Sequence, residues 1–229
     1  MIHTTNRRKF LAQLSSTSAA LAATSWLGSI GFTQTSRGPA RAVINQNLYR
    51  ADLDRRLFGS FLEHLGRAVY TGVYEPGSPL ADKNGFRKDV AAEIKEMGVP
   101  IMRYPGGNFV SGYNWLDGVG PKDKRPTVLE RAWNSLETNQ FGTNEFIDWC
   151  KLVNTEPLLG FNLGTGTPET SVAYVEYCNV DKGTKWSDLR RSHGYEQPHN
   201  VKYWCMGNEM DGPWQMGHMT AREYGRKAR

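Results

Sequence analysis

A carboxylic acid, Glu209, follows an apolar run of the sequence at the point where the run ends. Residues 201–206 are mainly bulky and apolar, and Gly207, Asn208 and Glu209 come directly after them. This pattern is typical of a buried strand that delivers its last side chains to the rim of a sheet. A carboxylic acid that stays protonated near neutral pH can act as a general acid. Glu209 is therefore our candidate catalytic acid, and the alternative is a strand-end residue that faces water.

Three earlier apolar runs, at residues 57–62, 99–104 and 157–161, also carry or end in polar side chains. Because the carboxyl ends of parallel strands meet at one edge of a sheet, we expect these side chains to gather there. The side chains in question are Glu63, His64, Arg103, Asn108 and Asn162.

Helical signals separate these runs. Asn84 is placed to cap the first helix, and apolar residues recur at helical spacing within the first two helices. The polar stretch at residues 181–200 predicts a surface connection. The predicted helices cover residues 85–97, residues from Thr143 to about 153, residues 167–179, and a last segment that begins at Thr220.

Four strand–helix units without a hairpin signal predict parallel strands joined by right-handed crossovers. Two α/β architectures fit, an open doubly wound sheet and a (β/α)8 TIM barrel, whose active site lies at the carboxyl ends of its strands. The barrel is favoured because no nucleotide-binding fingerprint follows a strand. Four units form half of a barrel, so residues 43–229 are predicted to be its N-terminal half, with the C-terminal half missing.

Residues 109–140 form a long segment rich in aromatic side chains, glycine and proline. A connection of this length inside a domain is commonly functional or disordered, and its aromatic content favours an ordered wall of a cleft. Its tryptophans could stack on sugar rings or simply pack, and the sequence leaves both readings open.

Residues 1–42 have the composition of an export signal, with an apolar stretch of small residues before the site Ala40-Arg41-Ala42. The alternative is a chance arginine pair ahead of a membrane anchor. The prediction is a protein exported to the periplasm or outside the cell, with no stable membrane span after cleavage near Val43. The twin-arginine pattern that supports it is Arg7-Arg8-Lys9-Phe10-Leu11.

Charge and cysteine content exclude two classes of function. Five of the 28 Lys and Arg lie in residues 1–42, and the other 23 equal the 23 Asp and Glu, so no basic excess remains to hold nucleic acid. The three cysteines are odd in number and far apart, which argues against a disulfide framework or structural zinc site. His193 and His199 are predicted to be surface residues and not metal ligands.

Four motifs occur together in order over residues 43–229. They are Phe61-Leu62-Glu63-His64, Arg103-Tyr104-Pro105-Gly106-Gly107-Asn108-Phe109, Tyr113-Asn114-Trp115 and Gly207-Asn208-Glu209-Met210-Asp211-Gly212-Pro213-Trp214-Gln215. Together these motifs resemble those of the α-L-arabinofuranosidases of glycoside hydrolase family 51.

The resemblance implies a retaining hydrolase that removes terminal α-L-arabinofuranosyl units from arabinan, arabinoxylan or oligosaccharides. Glu209 would be the general acid/base and Asn208 would contact the 2-hydroxyl of the sugar. Glu63, Arg103 and Asn108 would line the furanose pocket, Glu63 accepting bonds from sugar hydroxyls and Arg103 positioning the carboxylates. The family needs no metal or organic cofactor, carries a β-sandwich after the barrel and commonly forms homo-oligomers.

In this family the nucleophile is a Glu on a later barrel strand, which is absent from residues 43–229. The chain as given is therefore predicted to be inactive by itself. Two other readings stay open: a clan-related retaining glycanase, such as a xylanase or glucanase, and a non-catalytic truncated product.

Overall fold

The computed structural model describes Asn45, Asn47 and residues 51–229. The chain divides into two units, Met1–Ala51 and Asp52–Arg229, and every element below belongs to the second. The predicted signal segment, residues 1–42, lies outside the described residues. Within the described part, no helix has the length and apolar character needed to cross a membrane.

The second unit contains a four-stranded sheet, a separate two-stranded hairpin and five α-helices. In chain order the strands are β1 (Ser60–Phe61), β2 (Ile101–Tyr104), β3 (Val128–Glu130), β4 (Ser135–Glu137), β5 (Glu156–Gly160) and β6 (Tyr203–Cys205). The helices are α1 (Lys88–Met97), α2 (Thr143–Val153), α3 (Pro168–Asn179), α4 (Lys185–Ser192) and α5 (Ala221–Lys227).

The four-stranded sheet has the order β1-β2-β5-β6, and every neighbouring pair is parallel. Each new strand of this sheet is added beside the previous one, with a helix in between. A doubly wound sheet would instead reverse its order at a switch point, so the sequential order favours the barrel. The predicted parallel sheet is confirmed, whereas truncation to half a barrel stays a prediction.

The core lies between this sheet and helices α2 and α3. Helix α2 buries the four side chains predicted from their spacing, Phe146, Ile147, Cys150 and Val153. The ring of Phe146 stacks on that of Tyr104 in β2, with centroids 4.6 Å apart. Burial of each large apolar side chain of this kind stabilises a fold by about 1.5–3 kcal/mol.

Helix termini follow the local signals with two exceptions. Thr167 and Thr220, where the third and fourth predicted helices begin, cap α3 and α5. Gly98 ends α1 in the left-handed conformation, at φ 62°. The first exception is Asn84, since α1 begins only at Lys88, and its N-cap, Arg87, makes no side-chain capping bond. The second is Thr143, whose hydroxyl is placed in the sequence to cap α2 but which is the first residue of that helix, after the N-cap Gly142.

Residues 55–58 and 181–200 differ from the sequence-based expectation. Residues 55–58 form a 3-10 turn and not part of a strand, because the apolar run there stays exposed. The polar stretch at 181–200 contains helix α4, which Thr184 caps. His193 and His199, predicted to lie at the surface, are half-buried and bond to polar groups of α2 and α3.

The β3–β4 hairpin is the largest difference. It interrupts the long aromatic segment between β2 and α2, and its strands are antiparallel. Its side-chain pattern is inverted: Leu129 and Leu136 are 65% and 71% exposed, whereas Glu130 and Glu137 are buried. An apolar face turned to the core, which is the usual sign of a hairpin, is therefore absent from its sequence.

Candidate active site

Three of the predicted site residues form one row of contacts at the carboxyl ends of the strands. Arg103 Nη1 donates to Asn208 Oδ1 at 3.2 Å and to Cys205 Sγ at 3.7 Å. Asn208 Nδ2 lies 3.5 Å from Asn108 Oδ1, the long limit of a hydrogen bond. The guanidinium also lies 5.4 Å from the centre of the Phe61 ring in β1. Arg103 therefore connects the two outer strands of the sheet above β5.

Glu63 follows β1 and is only 5% exposed. Its Oε1 accepts bonds from Phe109 N at 3.1 Å and from the indole of Trp133 at 3.0 Å. Gly106 has a φ of 108°, and a Cβ at this position would lie 2.1 Å from the Cβ of Glu63. Glycine is required there because it lets the backbone pack directly against the carboxylate side chain. The turn that carries Asn108 is held against Glu63 in this way.

Glu209 lies next to this row, in a cleft of about 390 Å³ between the end of β6 and helix α5. Its side chain is exposed, and its Oε2 accepts a bond from the indole of Trp214 at 3.0 Å. Its backbone is left-handed, with a φ of 45°. Among the described residues, Glu209 makes no direct hydrogen bond to the other predicted site residues, and its connection to them is the adjacent Asn208.

Asn162 has a different role from the other polar groups at the strand ends. Its Oδ1 accepts bonds from the backbone of Thr165 at 2.9 Å and of Gly166 at 3.1 Å. Its Nδ2 donates to the carbonyl of Tyr113 at 2.9 Å. Asn162 therefore fixes the turn that follows β5, and its amide is fully used inside the protein.

A buried polar network beside Glu63 escaped the sequence analysis. His64 Nδ1 lies 2.7 Å from Glu137 Oε2, and its Nε2 lies 2.8 Å from the hydroxyl of Tyr104. The hydroxyl of Tyr70 donates to the other oxygen of Glu137. Burial acts to raise the pKa of Glu137, but the bonds from His64 and Tyr70 hold it below its ordinary value. The partners are up to 73 residues apart, so no local pattern indicates them.

The ends of the strands carry a guanidinium, two amides and two carboxylates, and the guanidinium and the amides bond to one another. These groups donate and accept hydrogen bonds in the way that ligands rich in hydroxyl groups require. Residues 51–229 contain no group of three or more His, Cys, Asp or Glu side chains arranged to hold a metal ion. Trp133 and Trp214, which bond to the two carboxylates, add aromatic surface to the same edge.

Comparison with known proteins identifies the family of the chain. The family model described as "Alpha-L-arabinofuranosidase 1 domain" matches residues 93–227. An intracellular exo-α-(1→5)-L-arabinofuranosidase 1 of Bacillus subtilis is 60% identical over 189 residues, which are 82% of this chain and 38% of that enzyme. A similarly named enzyme of Halalkalibacterium halodurans is 57% identical over the same shares of the two chains.

A solved structure shows the same similarity in three dimensions. It is that of a family 51 α-L-arabinofuranosidase from Bifidobacterium longum, with 52% sequence identity and a TM-score of 0.76. The match covers 77% of this chain and 35% of the other. The chain thus spans between a third and two-fifths of the length of these relatives.

The prediction of export is wrong. The relatives from Bacillus subtilis and Halalkalibacterium halodurans are named intracellular enzymes, which conflicts with a twin-arginine signal. The export prediction was based on an arginine pair followed by small, weakly apolar residues, a pattern that is defined by composition alone. In this chain Ser, Thr and Gly also interrupt the apolar stretch that follows the pair. Since the family model covers more than half of the 229 residues, the chain belongs to the α-L-arabinofuranosidases of glycoside hydrolase family 51.

Proposed function

We propose that this chain provides the acid/base and sugar-pocket side of a retaining α-L-arabinofuranosidase. The substrates would be terminal, non-reducing α-L-arabinofuranosyl units of arabinan, arabinoxylan or arabino-oligosaccharides. The observation that carries the proposal is the bond from Arg103 to Asn208 at 3.2 Å, directly beside Glu209. The names of the relatives support the class of sugar.

In this proposal Glu209 protonates the leaving oxygen and then activates water for the second step. A retaining glycosidase needs a second carboxylate, the nucleophile, roughly 5–5.5 Å from the acid/base. The proposal assigns no nucleophile within residues 51–229, so hydrolysis by the chain alone is not expected. We further propose that these residues are the first four β/α units of a TIM barrel.

The pocket groups have separate tasks. Glu63 uses Oε1 for Phe109 and Trp133, and its Oε2, which has no hydrogen-bond partner among residues 51–229, would accept a sugar hydroxyl. Asn208 would contact the 2-hydroxyl. Arg103 fixes the amide of Asn208 and thereby the position from which the next residue, Glu209, reaches the substrate.

Binding by the chain itself tests the class of sugar. We would titrate the protein with methyl α-L-arabinofuranoside and, in parallel, with methyl β-D-xylopyranoside, following the tryptophan indole signals by NMR. The proposal expects the arabinofuranoside alone to shift the signals of Trp133 and Trp214. Binding of the xylopyranoside alone would instead favour a glycanase, and binding of neither sugar would favour a non-catalytic product.

A chimera tests the chemistry. Residues 51–229 would replace the matching segment of the Bacillus subtilis relative, and the chimera would be assayed on aryl α-L-arabinofuranosides. Glu209→Gln should lower kcat/KM by about 10²–10⁴-fold for a poor leaving group, as expected for loss of a general acid. The same variant should change the glycosylation step little for a dinitrophenyl leaving group, which departs without a proton.

The matched control is Glu169→Gln, which removes an exposed carboxylate at the start of α3. It should leave both rates unchanged. Full activity of the Glu209→Gln chimera on the poor leaving group would refute the acid/base assignment.

A further inference from the structure

The β3–β4 hairpin contacts the rest of the protein through polar groups at both of its ends. At its tip, the indole of Trp133 donates to Glu63 Oε1 at 3.0 Å. The carboxylate of Glu130 closes the tip by accepting bonds from the backbone of Trp133, at 2.7 Å, and of Ala132. The tip is therefore a fixed turn that presents one indole to one carboxylate.

At the base of the hairpin lies Glu137, the last residue of β4, which is 3% exposed. Its carboxylate accepts bonds from Asn139 N at 2.6 Å and from the hydroxyl of Tyr70, and it lies 2.7 Å from His64 Nδ1. The imidazole of His64 stacks on Phe109, with ring centroids 4.4 Å apart. The base of the hairpin is thus bonded to the imidazole of His64, which is held in turn by the hydroxyl of Tyr104 and the ring of Phe109.

Two consecutive residues of the chain, Glu63 and His64, therefore hold the two ends of the hairpin. The hairpin has no apolar anchor of comparable strength, since Leu129 and Leu136 are largely exposed. A two-stranded hairpin is at best marginally stable without such support. Its position relative to β1 must then depend on the buried carboxylate at its base.

We infer that Glu137, with His64 and Tyr70, is a positioning residue: it holds the hairpin so that Trp133 reaches Glu63 and closes one side of the sugar pocket. Loss of Glu137 would release the base of the hairpin and withdraw the indole from Glu63. The effect on a ligand would be weaker binding, because no group of this network touches the reacting atoms. This last step rests on the proposed function, whereas the effect on Trp133 does not.

The position of the indole can be measured directly. The protein would be labelled with ¹⁵N-tryptophan, and the signal of Trp133 would be assigned with Trp133→Phe. In Glu137→Ala we expect the Trp133 indole signal to move to the position of a solvent-exposed indole and to exchange faster with water. Tyr70→Phe, which removes one bond to Glu137, should give a smaller shift in the same direction.

The matched control is Tyr195→Phe, which removes a tyrosine–carboxylate bond of 2.7 Å to Asp148, far from the hairpin in sequence. It should leave the Trp133 signal unchanged. An unchanged Trp133 signal in a folded Glu137→Ala protein would overturn the inference. If Glu137→Ala does not fold, an unchanged signal in Tyr70→Phe would overturn it instead.

The sugar titration separates this inference from the proposed function. We expect the Kd for methyl α-L-arabinofuranoside to rise about tenfold in Glu137→Ala, the change that loss of 1.4 kcal/mol produces. A wild-type protein that binds no arabinofuranoside, combined with a shifted indole in Glu137→Ala, would refute the function and support the positioning role. Equal affinities and equal indole signals in the two proteins would refute the positioning role alone.

Discussion

Arg190 and Arg103 are the same residue type in two regions of the molecule, and the structure uses them differently. Arg190, in helix α4, is completely buried and donates five bonds of 2.5–3.2 Å to backbone carbonyls, three at the end of α3 and two just after α4. Arg103, at the rim, is half-buried, and among the described residues its guanidinium bonds only to side chains, those of Asn208 and Cys205.

The difference teaches how to separate polar groups that build the fold from those available to a ligand. Carbonyl groups at the end of a helix need donors, and the positive charge of Arg190 also suits the negative end of the α3 dipole. Side chains of the rim bond to one another and keep further donors and acceptors for a ligand. In the helical layer, substitutions should therefore change stability, and at the rim they should change binding.

Arg190→Met should have the largest effect and lies on the helical side of the comparison. It leaves up to five carbonyl groups without their donor inside the protein, so we expect the free energy of unfolding to fall by about 3–5 kcal/mol. Urea denaturation measures this change. Arg191→Met removes a neighbouring arginine with one long carbonyl bond of 3.3 Å and should cost far less. Equal losses in the two variants would contradict the role given to Arg190.

Acid should weaken the same layer through His199, whose Nε2 bonds to Asn144 Oδ1 at 2.8 Å. Burial lowers the pKa of His199 from 6.5 to about 3. Below pH 6.5, His199 therefore binds a proton in the unfolded chain but not in the folded chain. The contribution of this group to the free energy of unfolding is present above pH 6.5 and is lost as the pH decreases. The loss from this group should reach about 2 kcal/mol at pH 5, as measured by urea denaturation across this range.

His199→Gln should remove this part of the pH dependence. A His199→Gln curve with the wild-type slope between pH 5 and 6.5 would show that another group is responsible.

Arg103→Lys tests the rim. Lysine cannot present a planar guanidinium both to Asn208 and to the Phe61 ring. We expect affinity for methyl α-L-arabinofuranoside to fall about tenfold, or 1.4 kcal/mol, with a change in unfolding free energy below about 1 kcal/mol. Arg56→Lys, at an exposed ion pair with Asp54, should change neither quantity. A large loss of stability without loss of affinity would show that Arg103, like Arg190, supports the fold and not the binding of the sugar.

Two asparagines at the strand ends give the finest test. Asn162→Ala should destabilise the fold by about 1 kcal/mol, because it removes the bonds that close the turn after β5, and should leave sugar affinity unchanged. Asn208→Ala should lower the affinity for the sugar and leave the stability of the fold unchanged. Calorimetric titration measures the sugar affinity of both variants, and thermal unfolding measures their stability. If the two variants respond alike, Asn162 and Asn208 do not differ in role.

The sequence was sufficient for features that depend on neighbouring residues. The buried face of α2 and the helix starts at Thr167 and Thr220 follow from local spacing and local hydrogen bonds. The parallel sheet follows from the alternation of strands and helices along the chain. The contacts among Arg103, Asn108 and Asn208 were also anticipated, because parallel strands deliver their ends to one edge.

Features that depend on distant partners could not be predicted. The hairpin has exposed leucines and buried glutamates, and Glu137 is acceptable in the interior only because His64 and Tyr70 are there to bond it. Asn162 was indistinguishable from Asn208 in sequence, since both follow apolar runs. Only the bonds to Thr165 and Gly166 reveal that Asn162 is fully used by its own turn.

The backbone of Glu209 is left-handed, at φ 45°, so the residue proposed as proton donor occupies a conformation that lowers the stability of the fold. A non-glycine residue in this conformation costs about 1–2 kcal/mol relative to the right-handed one, and glycine avoids most of that cost. A library of variants sorted only by heat resistance would therefore enrich glycine at position 209. If Glu209 is the general acid, as proposed, the selected glycine variants would unfold at higher temperatures but would lack the proton donor.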